Sequence, residues 1–511
     1  MLRTRASVMP DHRVIEVDGT ALTWDELDQQ SMTMAGGLTS AGVGKGDVVC
    51  QMTSNSIDHV LVVFAAARLG AIECPINTGL RGKSLTHVLG HSGAKAVVVD
   101  QEFVDRLEPA LSDVANAQVV VGTDDLPSGV AGRRVIPRAE LEGAPITDQS
   151  VAPQDPATLI YTSGTTGPAK GVLHCQNFAF SAARAKAEAW GLSDSDVLFS
   201  PLPLFHANAR YSTLLTACVI NARAVIVKSF SASRFWNQVR ESGATEVGTV
   251  GAVAPILLER DPSDQDRNHR VRMMHGAGAL TLDQRTEFEE RFGTRLVTGF
   301  SMTETSHLAT VSPEDPGRYR AAGKPISEFE VEILDEVDRP TTPGVVGEIA
   351  VRPRTPFSMF LGYYRDPQAT LDAFRNCWFH TGDLGFLDAE GYLHWVDRLK
   401  DAIRRKGEMI SSQDVEEAAR TFAGVAEAAA VGVPGDLGEE EVKLYVRAAA
   451  GESLDLIALL AHCKSRLPDF AVPRYYEMIP DFPRTSTHKI AKSELRTAGI
   501  GPHAWDAMRK G

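Results

Sequence analysis

The chain contains no C-x-x-C pair, no apolar run of membrane-spanning length and no surplus of basic residues. Its six cysteines (Cys50, Cys74, Cys175, Cys218, Cys377 and Cys463) are scattered, which favours reduced thiols over a disulfide framework or a zinc site. Without a stretch of about 18 consecutive apolar residues, no membrane span is expected. The opening MLRTRASVMPDHRV carries arginines but not the apolar segment of a signal peptide. A net charge of −14 argues against nucleic acid, whose partners present a basic face. A soluble, cytoplasmic protein is expected. At 511 residues the chain exceeds what one hydrophobic core organises, so several subdomains are expected as well.

The usual phosphate loop is also missing. Residues 161–171 read YTSGTTGPAKG, whereas a P-loop requires G-x-x-x-x-G-K-[ST]. Lys170 instead follows an alanine and precedes a glycine. Hydroxyls, glycine-freed backbone N–H groups and one ammonium can still hold a polyphosphate. An ordinary Gly/Ser/Thr turn after the strand ATLIY would look similar.

Short apolar, β-branched runs alternate with helical patterns through the first two thirds of the chain. GDVVCQM, AKAVVVD, ATLIYTS, DVLFSPL, ARAVIVK, TEVGTVG and RVRMMHGAG read as strands, and SIDHVLVVFAAARLGA as a helix. TWDELDQQSMTMAGGLTSAGV places Leu27, Met32, Met34 and Leu38 at helical spacing, with Thr23 as N-cap and Glu26 three residues later. This order predicts an α/β fold of mostly parallel sheets covered by helices. From about 323 to 399, FEVEILDE, GEIAVRP and GYLHWVDRLKD predict a β-rich subdomain. Residues 400–511 read as a separate small α+β domain.

Three further groups carry chemistry. In GFSMTET, Thr303 and Glu304 follow the apolar strand TRLV, where open α/β sheets bind ligands; a carboxylate there suits Mg²⁺ beside phosphate. In HTGDLG, Asp383 stands between glycines and can reach a hydroxylated ligand. Near the C-terminus, Lys489 follows a Pro/Thr/Ser loop in FPRTSTHKIAKSELR. Each group alone also has a bland explanation: a helix cap, an Asx-turn, a surface charge.

Taken in order, these groups resemble the adenylate-forming superfamily of acyl-CoA synthetases, firefly luciferases and peptide-synthetase adenylation domains. The resemblance runs from ALTWDEL to THKIAKSEL and rests on YTSGTTGPAKG, PLFH, GFSMTE, HTGDLG and Lys489. PLFHANARYSTL, FSASRFWNQVR and RRKGEMISSQDVE look most like the carnitine/crotonobetaine-type carboxylate–CoA ligases. It implies a large N-terminal domain, 1–399, and a mobile C-terminal domain, 400–511, hinged at Lys400.

The resemblance also implies roles. Thr162, Ser163, Gly164, Thr165, Thr166, Gly167 and Lys170 would hold the β- and γ-phosphates of ATP. Gly276, Ala277 and Gly278 with Phe300 would form the adenine slot. Thr303 would contact the α-phosphate and Glu304 the Mg²⁺. Asp383 and Arg398 would bind the ribose, and Lys489 would bridge the substrate carboxylate and α-phosphate. His206 would gate the acyl pocket, and Gly407 would line the tunnel for coenzyme A. The pocket itself would draw on His206, Asn208, Arg210, Tyr211, Gly251, Ala252, Ser301 and Met302. Arg210 there suggests a polar or anionic group on a small or medium acid, unless it pairs with an acidic neighbour.

The implied reaction joins a carboxylic acid to CoA with ATP cleaved to AMP and pyrophosphate. Alternative acceptors are an amine or a carrier-protein thiol, which would share every motif. Three departures bear on acceptor and substrate: Ser301 where the family often has glycine, His488 before the catalytic lysine, and Ala471 where a lysine is common. A monomer or homodimer is expected.

Overall fold

A computed structural model describes the chain except for residues 125, 127–128, 142–145, 147–149, 163–167, 277–279, 311–320, 406–407, 436–439, 485–489 and 509–511, and the side chains at 139, 308 and 310. Among the described residues, two large sheets dominate. A nine-stranded sheet runs in the order Gly362–Tyr363, Lys170–Cys175, Pro156–Thr162, Ile72–Pro75, Val48–Met52, Ala96–Val99, Val119–Gly122, Arg133–Ile136, Gly129–Val130. A seven-stranded sheet runs Arg295–Val297, Met273–His275, Glu246–Gly248, Val197–Ser200, Arg223–Ile226, Arg13–Val17, Thr20–Thr23. Most neighbours in both pair in parallel, so the α/β reading holds.

The parallel strands are apolar on both faces because helices cover both. All five residues of Val48–Met52 are buried. The helix Trp24–Ser40 begins as its sequence requires: Thr23 Oγ1 accepts from the Glu26 amide (3.2 Å), and Glu26 Oε2 accepts from the Thr23 amide (2.8 Å). Leu27, Met34 and Leu38 are buried on that helix, whereas Met32 stays partly exposed.

The segment from 323 folds as antiparallel strands. Phe329–Leu334, Gly347–Pro353, Trp378–Leu387 and Leu393–Arg398 pair in succession. Beyond them, Val425–Pro434, Glu440–Ala448, Tyr475–Met478 and Trp505–Asp506 form a further sheet with its own apolar core. Its helix Ser412–Arg420 is tied to the preceding strand, since Asp397 Oδ2 accepts from both the Ser412 amide and hydroxyl at 2.6 Å. Arg496 reaches Asp401 at 3.1 Å.

Two local readings differ from the structure. Thr303 and Glu304 do not simply follow the strand at 295–297. A second strand, Gly299–Met302, intervenes and pairs antiparallel with Ser306–Thr310, so both residues lie in a hairpin turn. Ser306 closes it at φ 62°, a left-handed conformation uncommon for serine. The second difference is a π-helix, Asn208–Leu215, in a segment whose sequence carries no mark of one.

Candidate active site

The hairpin turn at Thr303–Glu304 is held from three directions. His174, on the strand Lys170–Cys175, places Nε2 2.8 Å from the Thr303 carbonyl. A carbonyl only accepts, so Nε2 carries the proton and Nδ1 accepts from the Tyr211 hydroxyl at 2.7 Å. Burial pushes the His174 imidazole down to about 3, which keeps that tautomer neutral. The Glu304 carbonyl accepts from the Phe360 amide at 2.8 Å. Glu304 Oε1 accepts from the Tyr363 hydroxyl at 2.9 Å.

Tyr363 also carries the phosphate-loop candidate to the same place. Lys170 Nζ lies 4.7 Å from the Tyr363 ring centre, a cation–π contact. Lys170 pairs with Thr162 across two antiparallel strands. Ser163, Gly164, Thr165, Thr166 and Gly167 lie outside the described residues, but both strands are in place. The approach depends on sheet pairing: Tyr363 stands opposite Val172 in the nine-stranded sheet.

Glu304 is 8% exposed, and burial raises its carboxyl above the usual range. The Tyr363 hydroxyl and Arg398 oppose that rise, while Asp383 adds to it. Asp383 and Arg398 therefore act on the same electrostatic site as Glu304. They are cross-strand partners, with Arg398 Nε 3.8 Å from Asp383 Oδ1. Burial raises the Asp383 carboxyl too, and Arg398 opposes it. Nearby Lys400 is held below its ordinary value by burial and by Arg398.

Gly276 follows the strand Met273–His275 at φ 92°, and a Cβ there would overlap the Thr249 carbonyl. Only glycine fits such an approach. Ala277 and Gly278 lie outside the described residues. Phe300 is packed among Ala309, Ile326 and Phe360, with Met302 against the same cluster. His206 and Ser301 are exposed, and Gly251 and Ala252 form the turn after Val250. Asn208 donates from Nδ2 to the Thr249 carbonyl at 3.1 Å, which ties the π-helix to that turn. Lys489, His488 and Gly407 fall outside the described residues.

Two pocket candidates are buried and already have partners. Arg210 is 0% exposed; its Nε and Nη1 have no hydrogen-bond partner among the described residues, while Nη2 lies 2.7 Å from Glu73 Oε1, the acidic pairing that its sequence context left open. Its charge would be too costly to bury without that partner. Tyr211 is 3% exposed and spends its hydroxyl on His174. Conversely, the sequence reading passed over His174 and Tyr363. No spacing pattern could have found them, because Tyr363 is 59 residues from Glu304 and His174 is 129 from Thr303.

The sequence pattern described as "AMP-binding enzyme" matches residues 2–364, and that described as "AMP-binding enzyme C-terminal domain" matches 414–489. The chain belongs to the AMP-binding enzyme family. Among curated members, the crotonobetaine/carnitine–CoA ligase of Escherichia coli O8 is 30% identical over 480 residues, 92% of each chain. Among solved members, the O-succinylbenzoate CoA synthetase of Bacillus subtilis in complex with ATP and magnesium superposes at TM-score 0.84, with 26% identity over 97% of this chain and 98% of that one. The amide bond synthetase McbA of Marinactinospora thermotolerans superposes at 0.82, with 25% identity over 95% and 96%. As an AMP-binding enzyme of the acyl-CoA synthetase type, the protein is an AMP-forming ligase. No helix among the described residues is long and apolar enough to cross a membrane.

Proposed function

We propose that the protein is an ATP-dependent carboxylate–CoA ligase working in two half-reactions. The observation that carries this reading is the convergence of Lys170, Tyr363, Glu304, Asp383 and Arg398 on one hairpin turn. In the first step a substrate carboxylate oxygen attacks the α-phosphorus of ATP. A C(O)–O–P bond forms, the bond between α-phosphorus and bridging oxygen breaks, and pyrophosphate leaves. In the second, the CoA thiol gives up its proton and its sulfur attacks the acyl carbon, with AMP leaving.

Two anions meet in the first step, so charge neutralisation and alignment dominate. Residues Thr162 to Lys170 cradle the terminal phosphates, and Gly276 to Gly278 with Phe300 take the adenine. Asp383 and Arg398 take the ribose, and Thr303, whose carbonyl His174 holds in the hairpin turn, meets the α-phosphate. Lys489 neutralises the approaching carboxylate. His206 stands at the acyl entrance, and Gly407 belongs to the path of the thiol.

Glu304 is the residue to hold Mg²⁺. Among the described residues no group of three or more His, Cys, Asp or Glu side chains gathers as a cage. One or two carboxylates beside phosphate are the donor set Mg²⁺ takes, and Glu304, whose charged form burial disfavours, would gain from a cation. When bound, the ion would neutralise charge on the phosphates.

A nitrogen acceptor is the second reading, favoured by the likeness to an amide bond synthetase. AMP release over a panel of acids, with and without CoA, decides between them when hydroxylamine trapping is run in parallel. Release that rises with CoA is the expected result. Trapping of acyl-adenylate without CoA-dependent turnover would favour the nitrogen acceptor. Lys489→Ala should slow ATP–pyrophosphate exchange by ~10²–10³; exchange at the wild-type rate would remove Lys489 from the chemistry.

A further inference from the structure

Behind the pocket candidates lies a buried polar cluster that none of the steps above uses. Lys186 reaches inward from the helix Gln176–Trp190, with Nζ 3.3 Å from Glu246 Oε1 and donating to the Ser212 carbonyl. Glu246 Oε1 also accepts from His275 Nδ1 at 2.5 Å. His307 Nε2 lies 3.0 Å from Ser212 Oγ. Trp190 packs beside both imidazoles, with ring centres 4.7 Å from His275 and 5.2 Å from His307. Space for His275 comes from Gly248, whose added Cβ would sit 2.8 Å from His275 Cε1.

The cluster adjoins the reacting centre. His275 directly precedes Gly276, and His307 lies three residues beyond Glu304 on the same hairpin. Ser301, exposed, stands opposite His307 in the strand pair. Four peptide links join Thr303 to His307, which bounds their Cα separation at roughly 14 Å. Within that bound, a medium-length acid activated at Thr303 would bring its distal end toward this cluster. His307 Nδ1 is buried and has no hydrogen-bond partner among the described residues.

Charges in the cluster are already matched. Burial lowers Lys186 from its ordinary value, and Glu246 opposes that. Although burial pushes the Glu246 carboxyl up, Lys186 and His275 bring it below its ordinary value. Burial, aided by Lys186, lowers His275 and takes His307 down to about 3, so both imidazoles are neutral. Arg210, on the same π-helix as Ser212, is matched by Glu73. Among the described residues of the cluster, Lys186 is already paired with Glu246, so a second substrate carboxylate would meet no free cation there, and a hydrocarbon tail would leave His307 Nδ1 unpaired; both outcomes are costly.

We infer that His307 is a specificity residue selecting carboxylic acids whose distal end carries an uncharged hydrogen-bonding group, a hydroxyl or a carbonyl, with Lys186, Glu246 and His275 as positioning residues behind it. The inference rests on the adenylation reading above. It replaces Arg210 as the source of polar selectivity.

The test compares hexanoate, 6-hydroxyhexanoate, 5-oxohexanoate and adipate by pyrophosphate release. A site built to hydrogen-bond a substrate group rejects analogues lacking it strongly, so kcat/KM for the hydroxy or oxo acid should exceed that for hexanoate by ~10² or more, with adipate last. His307→Leu should bring the ratio of polar to aliphatic acid close to 1, and His307→Asn should restore most of it. The AMP-induced thermal shift checks folding of each variant. Preference for hexanoate or adipate, or an unchanged ratio in His307→Leu, overturns the inference and leaves the adenylation reading standing. Pyrophosphate release with none of these acids, and hydroxamate formation with no acid at all, overturns both.

Discussion

Glu304 is a carboxylate whose charged form the folded chain disfavours. Burial is the main cause and Asp383 adds to it. The raised group binds its proton more tightly in the folded than in the unfolded state, which determines the sign of its pH dependence. At pH below the unfolded carboxyl range both states are protonated and nothing is lost; as pH rises through the folded value, the buried charge lowers stability. Glu304→Gln should therefore raise the unfolding temperature of the ligand-free protein at neutral pH, with the gain vanishing in acid. Thermal unfolding followed against pH checks this, and an equal gain at every pH would contradict it. The same substitution should lower kcat/KM for adenylation by ~10²–10³ and remove an acid limb lying above the ordinary glutamate range. Arg210 behaves oppositely: it is a structural charge. Arg210→Met should destabilise by about 3–5 kcal/mol because it strands Glu73, and replacing Glu73 with leucine as well should recover most of that. Urea unfolding of the wild type and the two variants measures it; a selective change in acid preference without loss of stability would return Arg210 to the pocket.

At the scale of the element, the π-helix Asn208–Leu215 serves several parts of the site. Its wider turn lets Thr216 Oγ1 donate to the Tyr211 carbonyl five residues back, at 2.7 Å. Such turns recur at functional sites. Here Asn208 secures the Thr249 turn, Arg210 meets Glu73, Tyr211 sets His174, and Ser212 meets His307. Tyr211→Phe would leave His174 Nδ1 without its donor, at a cost of about 1–3 kcal/mol. Because the hydroxyl faces His174, stability should fall and kcat with it, as Thr303 loosens, while KM for the acid changes little. Calorimetry and steady-state kinetics separate the two. A rise confined to the acid's KM would place Tyr211 in the pocket instead.

The whole molecule turns on the segment between Arg398 and Ser412. Asp397 grips the start of the helix Ser412–Arg420, and Arg496 grips Asp401, so the arrangement is one definite pose of the C-terminal part. Thioester formation, on the proposed scheme, needs another pose to present a different face. The backbone at Lys400 is the hinge in that scheme. Lys400→Pro should leave ATP–pyrophosphate exchange close to wild type and lower CoA-dependent thioester formation by at least ~10². Equal loss of both half-reactions would move the hinge elsewhere.

Strand and helix order was legible in the sequence because parallel, doubly covered strands must be apolar throughout and caps have local spelling. Thr23 with Glu26, and the buried run Val48–Met52, are of this kind. The candidate site was legible only as contiguous pieces: the segment Thr162 to Lys170, the pair Thr303–Glu304, and Asp383. What tertiary structure alone decided is which side chains meet. Antiparallel pairing of Gly362–Tyr363 with Lys170–Cys175 brings the Tyr363 hydroxyl to Glu304 and its ring under Lys170. Burial, which no single segment specifies, turned Arg210 from a pocket cation into half of an ion pair and gathered Lys186, Glu246, His275 and His307 from four separate elements. Local pattern encodes how a segment folds; electrostatic matching across a core depends on partners drawn from distant parts of the chain.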